Sequence, residues 1–166
     1  RQRPIGDLVD CLNDLGAAVE FEIPGSRCPP VIVQGGKGRL EGGTAAIHGN
    51  ISSQFLSALL MAAPAASGET HLTVTGDLVS KPYIGMTLQM MRSFGAVVES
   101  PGDFSSFHIR AQPYTAQNYD IEPDASAASY FFAAAAITGG SVTVSGLSRD
   151  AMQGDVGFVD ALEQMG

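Results

Sequence analysis

Two landmarks recur along the 166-residue chain in the same order, 70 to 79 residues apart. One is a helix-like segment closed by glycine and followed by a strand-like segment: residues 12–20 return as residues 91–99, and another copy begins at residue 162. The other is a strand-like segment that ends in glycine, residues 73–76, which returns as residues 143–146. Such self-similarity is typical of a duplicated supersecondary unit, so it limits the fold to an arrangement of repeated units.

The repeated unit contains two helices and four strands in the order β-α-β-α-β-β. We expect the end of one unit at 1–16 and two further units at 17–95 and 96–166. Apolar residues at helical spacing predict helices at 5–15, 52–63, 81–94, 124–138 and 155–165. Short β-rich runs predict strands at 17–23, 31–33, 45–48, 70–75, 96–99, 107–110, 119–122 and 141–145. The predicted fold class is therefore α/β, in the sense of a mixed α+β fold.

The predicted helices are of two chemical kinds. Those over 52–63 and 124–137 are apolar nearly all round, which is typical of interior helices. Those around Leu8 and Leu88 carry a polar face and are expected to lie on the outside. One interior helix per unit favours a prism of sheets around buried helices.

Composition and charge narrow the possible partners. The chain is 45% hydrophobic and 16% charged, which is enough to build a core without disulfides or a structural metal. A net charge of −8 argues against nonspecific nucleic-acid binding, which needs a basic face. A phosphorylated metabolite remains possible, because helix N-termini can hold a phosphate in an acidic protein.

The sequence also gives expectations about the compartment. The longest apolar stretches, 55–66 and 130–137, are too short to span a bilayer. Cys11 and Cys28 form no CxxC pair, which favours a reduced, cytoplasmic protein. Because the chain begins with Arg1 and stops where another strand is due, we expect it to be a piece of something longer.

Polar residues mark the start of the first predicted interior helix, at 50–54. The first backbone N–H groups of a helix lack partners and its dipole is positive there, so hydroxyl and amide side chains at this place can form an anion site. Ser52, Ser53 and Gln54 are the candidates. The alternative is simple N-capping by Asn50 or Ser52.

A second helix start, at 77–83, has similar chemistry. Ser80 can be the N-cap, Pro82 is tolerated in the first turn, and Lys81 and Tyr83 project near the same end. Capping alone is again the alternative. The occurrence of two such starts in one unit favours a shared anion site.

Two further charged residues are weaker candidates. Asp124 opens the second apolar helix, where it is either an N-cap or a group near the site. Arg3 is either an exposed terminal cation or a clamp for an anion.

Two other patterns indicate no site. The glycine-rich segment 35–38 lacks the spacing and the Ser or Thr of a phosphate-binding loop, which favours a hairpin connector. The histidines lie on predicted strands without ligand spacing, which argues against metal binding; they are His48, His71 and His108.

Five segments taken in order resemble the EPSP synthase (3-phosphoshikimate 1-carboxyvinyltransferase) family. They are residues 3–6, 51–64, the Leu-Val-Ser-Lys-Pro-Tyr run at 78–83, 124–131 and 152–155. The resemblance covers essentially the whole chain. It implies two domains, each of three β-α-β-α-β-β units, of which this chain is the central part of the first.

The resemblance also implies a function in the shikimate pathway. In the family, the 5-hydroxyl of shikimate 3-phosphate attacks C2 of phosphoenolpyruvate, and the tetrahedral intermediate expels phosphate without a metal or organic cofactor. By the same resemblance, Ser52, Ser53 and Ser80 bind the 3-phosphate and Tyr83 lies against the shikimate ring. Gln54 contacts both substrates.

The remaining residue roles also follow from the resemblance. Arg3 holds the phosphate of phosphoenolpyruvate, and Asp124 matches a family acid near the site. Lys81 is a further candidate site residue, from its position at the second helix start. The family's other substrate clamps and proton-transferring residues have no match here, so no catalytic residue and no activity of the isolated chain are expected. Two alternatives stay open: an enzyme similar to UDP-N-acetylglucosamine enolpyruvyl transferase, and a noncatalytic binding or scaffold domain.

Overall fold

The structure, a computed structural model, describes residues 3–35 and 40–166, so residues 36–38 of the glycine-rich segment lie outside the described residues. The chain divides into two compact units, Arg1–Ala116 (unit 1) and Gln117–Gly166 (unit 2). Helices and strands are mixed, as the sequence predicts. None of the helices described in either unit combines the length and hydropathy that crossing a membrane requires.

Unit 1 contains three α-helices and six strands among its described residues. In chain order they are α1 (Gly6–Asp14), β1 (Val19–Phe21), β2 (Val31–Val33), β3 (Gly43–His48), α2 (Ser53–Ala62), β4 (Thr70–Thr75), α3 (Lys81–Ser93), β5 (Val98–Glu99) and β6 (Ser106–Ile109). A short 3₁₀ turn, Ala63–Ala65, follows α2. Unit 2 contains α4 (Ala125–Thr138), a 3₁₀ turn (Gly154–Gly157) and α5 (Phe158–Met165).

The main sheet of unit 1 has the strand order β3-β4-β6-β5. Strands β3 and β4 are parallel, whereas β6 is antiparallel to both β4 and β5. Side chains of β4 alternate between the two faces: Leu72 and Val74 are buried, while His71 and Thr73 are exposed. Strands β1 and β2 form a separate antiparallel pair.

The core of unit 1 lies between the sheet and its helices. Helix α2 contributes Leu56, Leu59 and Leu60, and α3 contributes Ile84, Leu88 and Met91. The sheet contributes Leu72 and Phe107, both almost fully buried. Each of these two helices therefore buries one apolar stripe against the sheet. The polar residues at the start of each helix lie outside the core.

The prediction of strands at 119–122 and 141–145 is wrong, because neither segment forms a strand or a helix. A strand is defined by hydrogen bonds to a neighbouring strand. Across residues 117–166, all of which the structure describes, there is no strand for either segment to pair with.

Helix α4 is found where the sequence predicts it, yet it is not an interior helix. Tyr130, Phe131 and Ile137 are 78%, 62% and 84% exposed. Only Ala125 and Ala128 of this fully described helix are buried. Unit 2 offers α4 a single further α-helix and a 3₁₀ turn, too little to cover a helix that is apolar all round.

Candidate anion-binding site

Two helix starts lie at the same edge of the main sheet of unit 1. Helix α2 follows β3 and helix α3 follows β4, and these strands are parallel neighbours with His48 opposite Thr75 at their carboxyl ends. The connections are hydrogen-bonded to this edge and to each other: Gly49 N donates to Thr75 O at 2.9 Å, and Val79 N donates to Gly49 O at 3.1 Å. The backbone therefore brings the two starts together.

Ser52 caps the first of these helices. Its backbone is extended (φ −164°, ψ 122°), and its Oγ accepts a hydrogen bond from Gln54 N at 3.2 Å. Capping, the simpler alternative for this serine, is therefore confirmed. The cap uses one lone pair of Oγ and leaves its O–H able to donate to a ligand.

Ser80 occupies the N-cap position of α3 in a different way. Its backbone is left-handed (φ 56°, ψ 41°), and its side chain makes no capping hydrogen bond among the described residues. Instead its carbonyl accepts from Tyr83 N at 3.0 Å. A left-handed serine costs roughly 1 kcal/mol, and such outliers cluster at functional sites. The prediction that Ser80 is the N-cap residue is therefore confirmed in position, although the hydroxyl makes no capping bond.

Both helix starts border one cavity of about 750 Å³. The five residues placed by resemblance at the shikimate 3-phosphate all line it: Ser52, Ser53, Gln54, Ser80 and Tyr83. The other lining residues are Ile51, Ser57, Met61, Val79, Met86 and Thr87. All eleven of these residues belong to unit 1.

Ser57 and Thr87 are lining residues that the sequence reasoning missed. Their hydroxyl oxygens are 2.8 Å apart, and Thr87 Oγ1 donates to Tyr83 O at 2.8 Å. Because the single hydroxyl hydrogen of Thr87 is used there, Ser57 is the donor in the Ser57–Thr87 bond. The sequence did contain a signal for them, namely a spacing of four residues from a predicted site residue. Ser57 follows Ser53 by four residues in α2, and Thr87 follows Tyr83 by four in α3, so each pair lies on one helix face.

The lining is neutral but favours anions. Its described residues include no Asp, Glu, Lys, Arg or His. The three serines of the helix starts, Ser52, Ser53 and Ser80, border it together with the positive ends of two helix dipoles, and both features favour a phosphate or a carboxylate. The apolar side chains of the lining complete a hollow that could receive a small polar ring.

Lys81 is exposed at the first position of α3 and is not among the residues described as lining the cavity. The charge of Lys81 instead acts on Asp103. The pKa of Asp103 is lowered, mainly by the hydrogen bond from Ser105 N and to a smaller extent by Lys81. The structure thus places Lys81 beside the site rather than in its wall.

The other two charged candidates are not among the residues described as lining this cavity. Arg3 is exposed ahead of α1 and is absent from the described lining. Asp124 belongs to unit 2, where its Oδ1 accepts from Ala127 N at 3.0 Å and so caps α4. Gln153 supports the same helix start, since its Oε1 accepts from Ala125 N at 2.9 Å. The roles of Arg3 and Asp124 toward a ligand stay predictions.

Sequence comparisons find relatives along the whole chain. The sequence model of the family described as EPSP synthase (3-phosphoshikimate 1-carboxyvinyltransferase) matches residues 1–166. The 3-phosphoshikimate 1-carboxyvinyltransferase of Erwinia tasmaniensis is 52% identical over 168 residues, and the chloroplastic enzyme 1 of Nicotiana tabacum is 49% identical. Both alignments cover 100% of this chain, but they cover 38% and 32% of those relatives. The chain thus spans less than two fifths of their length.

A solved EPSP synthase from Acinetobacter baumannii has the same fold. It superposes with a TM-score of 0.72 at 26% identity, and the match covers 99% of this chain and 35% of that one. The expected family and the mixed helix-and-sheet fold are confirmed by these matches. The chain belongs to the EPSP synthase (3-phosphoshikimate 1-carboxyvinyltransferase) family.

Proposed function

We propose that this chain is a substrate-binding part of an enzyme that transfers the enolpyruvyl group of phosphoenolpyruvate to the 5-hydroxyl of shikimate 3-phosphate. Family membership supports the reaction. The observation that carries the proposal for the chain itself is the convergence of Ser52, Ser53, Gln54, Ser80 and Tyr83 on one cavity at two helix starts. No cofactor is part of the proposal, because the attacking and leaving groups both belong to the substrates.

In this proposal the serines at the two helix starts bind the 3-phosphate of shikimate 3-phosphate. Ser52, Ser53 and Ser80 donate hydroxyl hydrogens, and the first-turn N–H groups of the helices add further donors. Hydrogen bonds to a charged oxygen are about twice as strong as neutral ones, which compensates for the lack of a cation in the described lining.

The remaining lining residues orient the two substrates. Tyr83, a lining residue that is 54% exposed, packs against the shikimate ring. Gln54 lies at the first turn of α2 and contacts both substrates through its amide, which can donate and accept. Arg3 holds the phosphate of phosphoenolpyruvate, and Lys81 and Asp124 act nearby.

We propose that the 166-residue chain alone binds but does not turn over its substrates. The 5-hydroxyl loses its proton as its oxygen bonds to C2, while C3 gains a proton and the double bond is lost. Phosphate then leaves from C2 as C3 gives up a proton and the double bond forms again. These steps need groups that accept and return protons. The described lining contains no carboxylate, imidazole or amine that could do so.

Calorimetric titration of the chain with shikimate 3-phosphate tests the binding proposal. Ser53→Ala and Ser80→Ala should each weaken binding about tenfold, since each removes a hydrogen bond to a charged group. Ser93→Ala is the matched control, because Ser93 lies on α3 outside the described lining. Unchanged affinity in both cavity variants would reject the site.

The same titration separates the alternatives. Binding of UDP-N-acetylglucosamine to the chain, without binding of shikimate 3-phosphate, would favour the related sugar-nucleotide enzyme. Release of phosphate from phosphoenolpyruvate at an enzymatic rate by the chain alone would contradict the proposed inactivity.

Three broader points are also proposals. The chain acts together with the remainder of such an enzyme, as the central part of its first domain, and its repeats run over 17–95 and 96–166. It works in the cytoplasm or another reducing compartment, for which the free thiols of Cys11 and Cys28 are the supporting observation. Its partners are the two small substrates rather than nucleic acid or membrane.

A further inference from the structure

The outward face of the main sheet carries a row of imidazole and carboxylate side chains. His71 of β4 lies directly opposite His108 of β6, and His108 lies directly opposite Glu99 of β5. Glu69 precedes His71 by two residues and so lies on the same face. Antiparallel register brings His71, His108 and Glu99 together across the sheet, and the two-residue spacing adds Glu69.

Three of the four have ligand atoms close enough to share one ion. The ligand atoms of Glu69, His71 and His108 all lie within 4.8 Å of one another. The shortest separation joins His108 Nε2 to Glu69 Oε2, at 3.0 Å. The two imidazole rings are stacked, with centroids 4.3 Å apart and an interplanar angle of 6°.

We propose that Glu69, His71 and His108 form a divalent-metal site, with Zn²⁺ as the ion that the donor set fits best. Two imidazole nitrogens and one carboxylate oxygen are ligands that Zn²⁺ binds in three-residue sites, where water completes the tetrahedron. Harder ions such as Mg²⁺ prefer oxygen ligands and are poorly matched. None of these three residues lines the anion cavity, so the site is independent of the proposed transferase function.

Glu99 is a positioning residue for this site. Its Oε2 is 3.8 Å from His108 Nδ1, the ring nitrogen on the side away from Glu69. A metal-binding histidine usually donates its other N–H to a carboxylate, which fixes the tautomer and the ring orientation. At 3.8 Å Glu99 is not yet hydrogen-bonded to His108, but a small movement of its exposed side chain would let it accept from Nδ1 and leave Nε2 for the metal.

Binding requires one ring to turn. An ion lies in the plane of each imidazole that coordinates it, and two stacked planes cannot share one ion. His71 is exposed and beside a hollow of about 430 Å³ that is also lined by Thr73, Ser106 and His108, so its ring has room to rotate. The strand backbone stays fixed because Leu72 and Phe107 anchor it from the core side.

One nearby charge opposes the ion. Arg110 follows His108 by two residues on the same face, and its Nη2 lies 3.8 Å from Glu99 Oε1. Its positive charge repels a divalent cation and competes for the carboxylate that orients His108. Removing that charge should therefore tighten metal binding.

Equilibrium dialysis of the full 166-residue chain against ZnCl₂ tests the proposal. We expect one Zn²⁺ per chain, with affinity lowered at least about tenfold by His71→Ala, His108→Ala or Glu69→Gln, and by a similar factor in Glu99→Gln. Arg110→Gln should raise the affinity. His48→Gln is the matched control, because His48 lies on the same face in β3 but outside the cluster.

Two further measurements test whether a cysteine takes part and whether the ion binds the folded chain. Co²⁺ bound at this site should show no thiolate charge-transfer band, and Cys28→Ser should leave the affinity unchanged. Zn²⁺ should raise the melting temperature of the chain but not that of His71→Ala. Circular dichroism should show that each variant is folded, as expected for replacements at exposed or half-buried positions.

The outcomes decide the proposal. Selective loss of Zn²⁺ in the cluster variants supports it. Absence of binding, unchanged affinity in both histidine variants, or loss of binding in Cys28→Ser overturns it.

Discussion

At the scale of single residues, Thr70 carries a buried hydroxyl group whose lost hydration is not replaced by a hydrogen bond among the described residues. Its side chain is fully buried at the start of β4, and its Oγ1 has no hydrogen-bond partner among the described residues. An unpaired buried hydroxyl costs about 1 to 3 kcal/mol, whereas valine fills nearly the same volume without a polar atom.

Thr70→Val should therefore raise the free energy of unfolding by about 1 kcal/mol. The matched control is Thr73→Val, which makes the same replacement on the exposed face of the same strand and should change stability by less than about 0.5 kcal/mol. Urea denaturation measures both. Equal effects at the two positions would show that the Thr70 hydroxyl is satisfied.

Cys11 makes stability depend on pH in the alkaline range. Burial, together with the charges of Asp14 and Asp10, raises the pKa of this thiol from 9.0 to about 11. Between these values the unfolded chain releases the thiol proton while the folded chain keeps it, so the free energy of unfolding falls as pH rises.

The loss should be on the order of 2 kcal/mol between pH 9 and 11. Cys11→Ala removes this contribution, whereas Cys28→Ser keeps it. Denaturation curves of the parent chain and of both variants at several pH values compare the slopes, because the parent chain and Cys11→Ala share every titrating group other than Cys11. A slope that Cys11→Ala does not reduce would contradict the prediction.

At the scale of elements, Gly49 lets the two helix-start connections approach each other. A Cβ atom at this position would lie 2.8 Å from Val74 Cγ1 and 2.9 Å from Leu78 Cα. Since one of these contacts is with backbone, the segment before α3 would have to move.

Gly49→Ala should therefore destabilise unit 1 by about 1 to 3 kcal/mol and weaken binding of shikimate 3-phosphate. The control is Gly85→Ala, because a Cβ at Gly85 in α3 meets no atom within 4 Å. That replacement should be neutral or stabilising by up to about 1 kcal/mol. Denaturation and calorimetry check both variants; similar behaviour of the two would argue against a close approach at Gly49.

The sequence predicts the helices better than the strands. Helices α2 and α3 carry their own signals, namely apolar periodicity and a polar start, so their bounds differ from prediction by one residue at most at each end. Segments 119–122 and 141–145 have the residue types of strands, but pairing is a property of neighbours and cannot be read from one segment. Burial of α4 likewise depends on neighbouring elements, so its apolar sequence alone could not predict it.

The candidate anion site was largely predictable for the same reason. Ser53 and Ser80 each lie at a helix start, which is a local feature of the sequence. The Glu69, His71 and His108 cluster was not predictable, because it depends on the register of two strands that are far apart in the chain. The expectation that the histidines lack ligand spacing holds along the sequence but not across the sheet.

At the scale of the whole molecule, burial is unequal between the two units. Unit 1 holds a core of many fully buried side chains from helices and sheet. Across residues 117–166, all described, Ala125 and Ala128 are the only buried residues, and α5 has none. Local stability follows the number of buried apolar contacts.

Amide hydrogen exchange should therefore be slow in α2 and fast in α5. We expect the amides of Leu59 and Leu60 to be protected at least about a hundredfold more than those of the α5 segment, which corresponds to roughly 3 kcal/mol of local opening energy. Mass spectrometry of peptides from each unit measures this. Comparable protection throughout the chain would mean that unit 2 is stabilised by more than its own buried surface.

The attachment of both helix starts to adjacent parallel strands has a consequence for selectivity. Neighbouring strands are spaced about 4.8 Å apart by their hydrogen bonds, and side-chain replacements do not alter that distance. The separation of the two helix starts is thus set by the sheet, so we expect that widening the cavity between them would require a longer connection at 49–52 or 76–80. If shikimate 3-phosphate binds as proposed, we expect discrimination among small phosphate esters of similar size to depend on Gln54 and Tyr83.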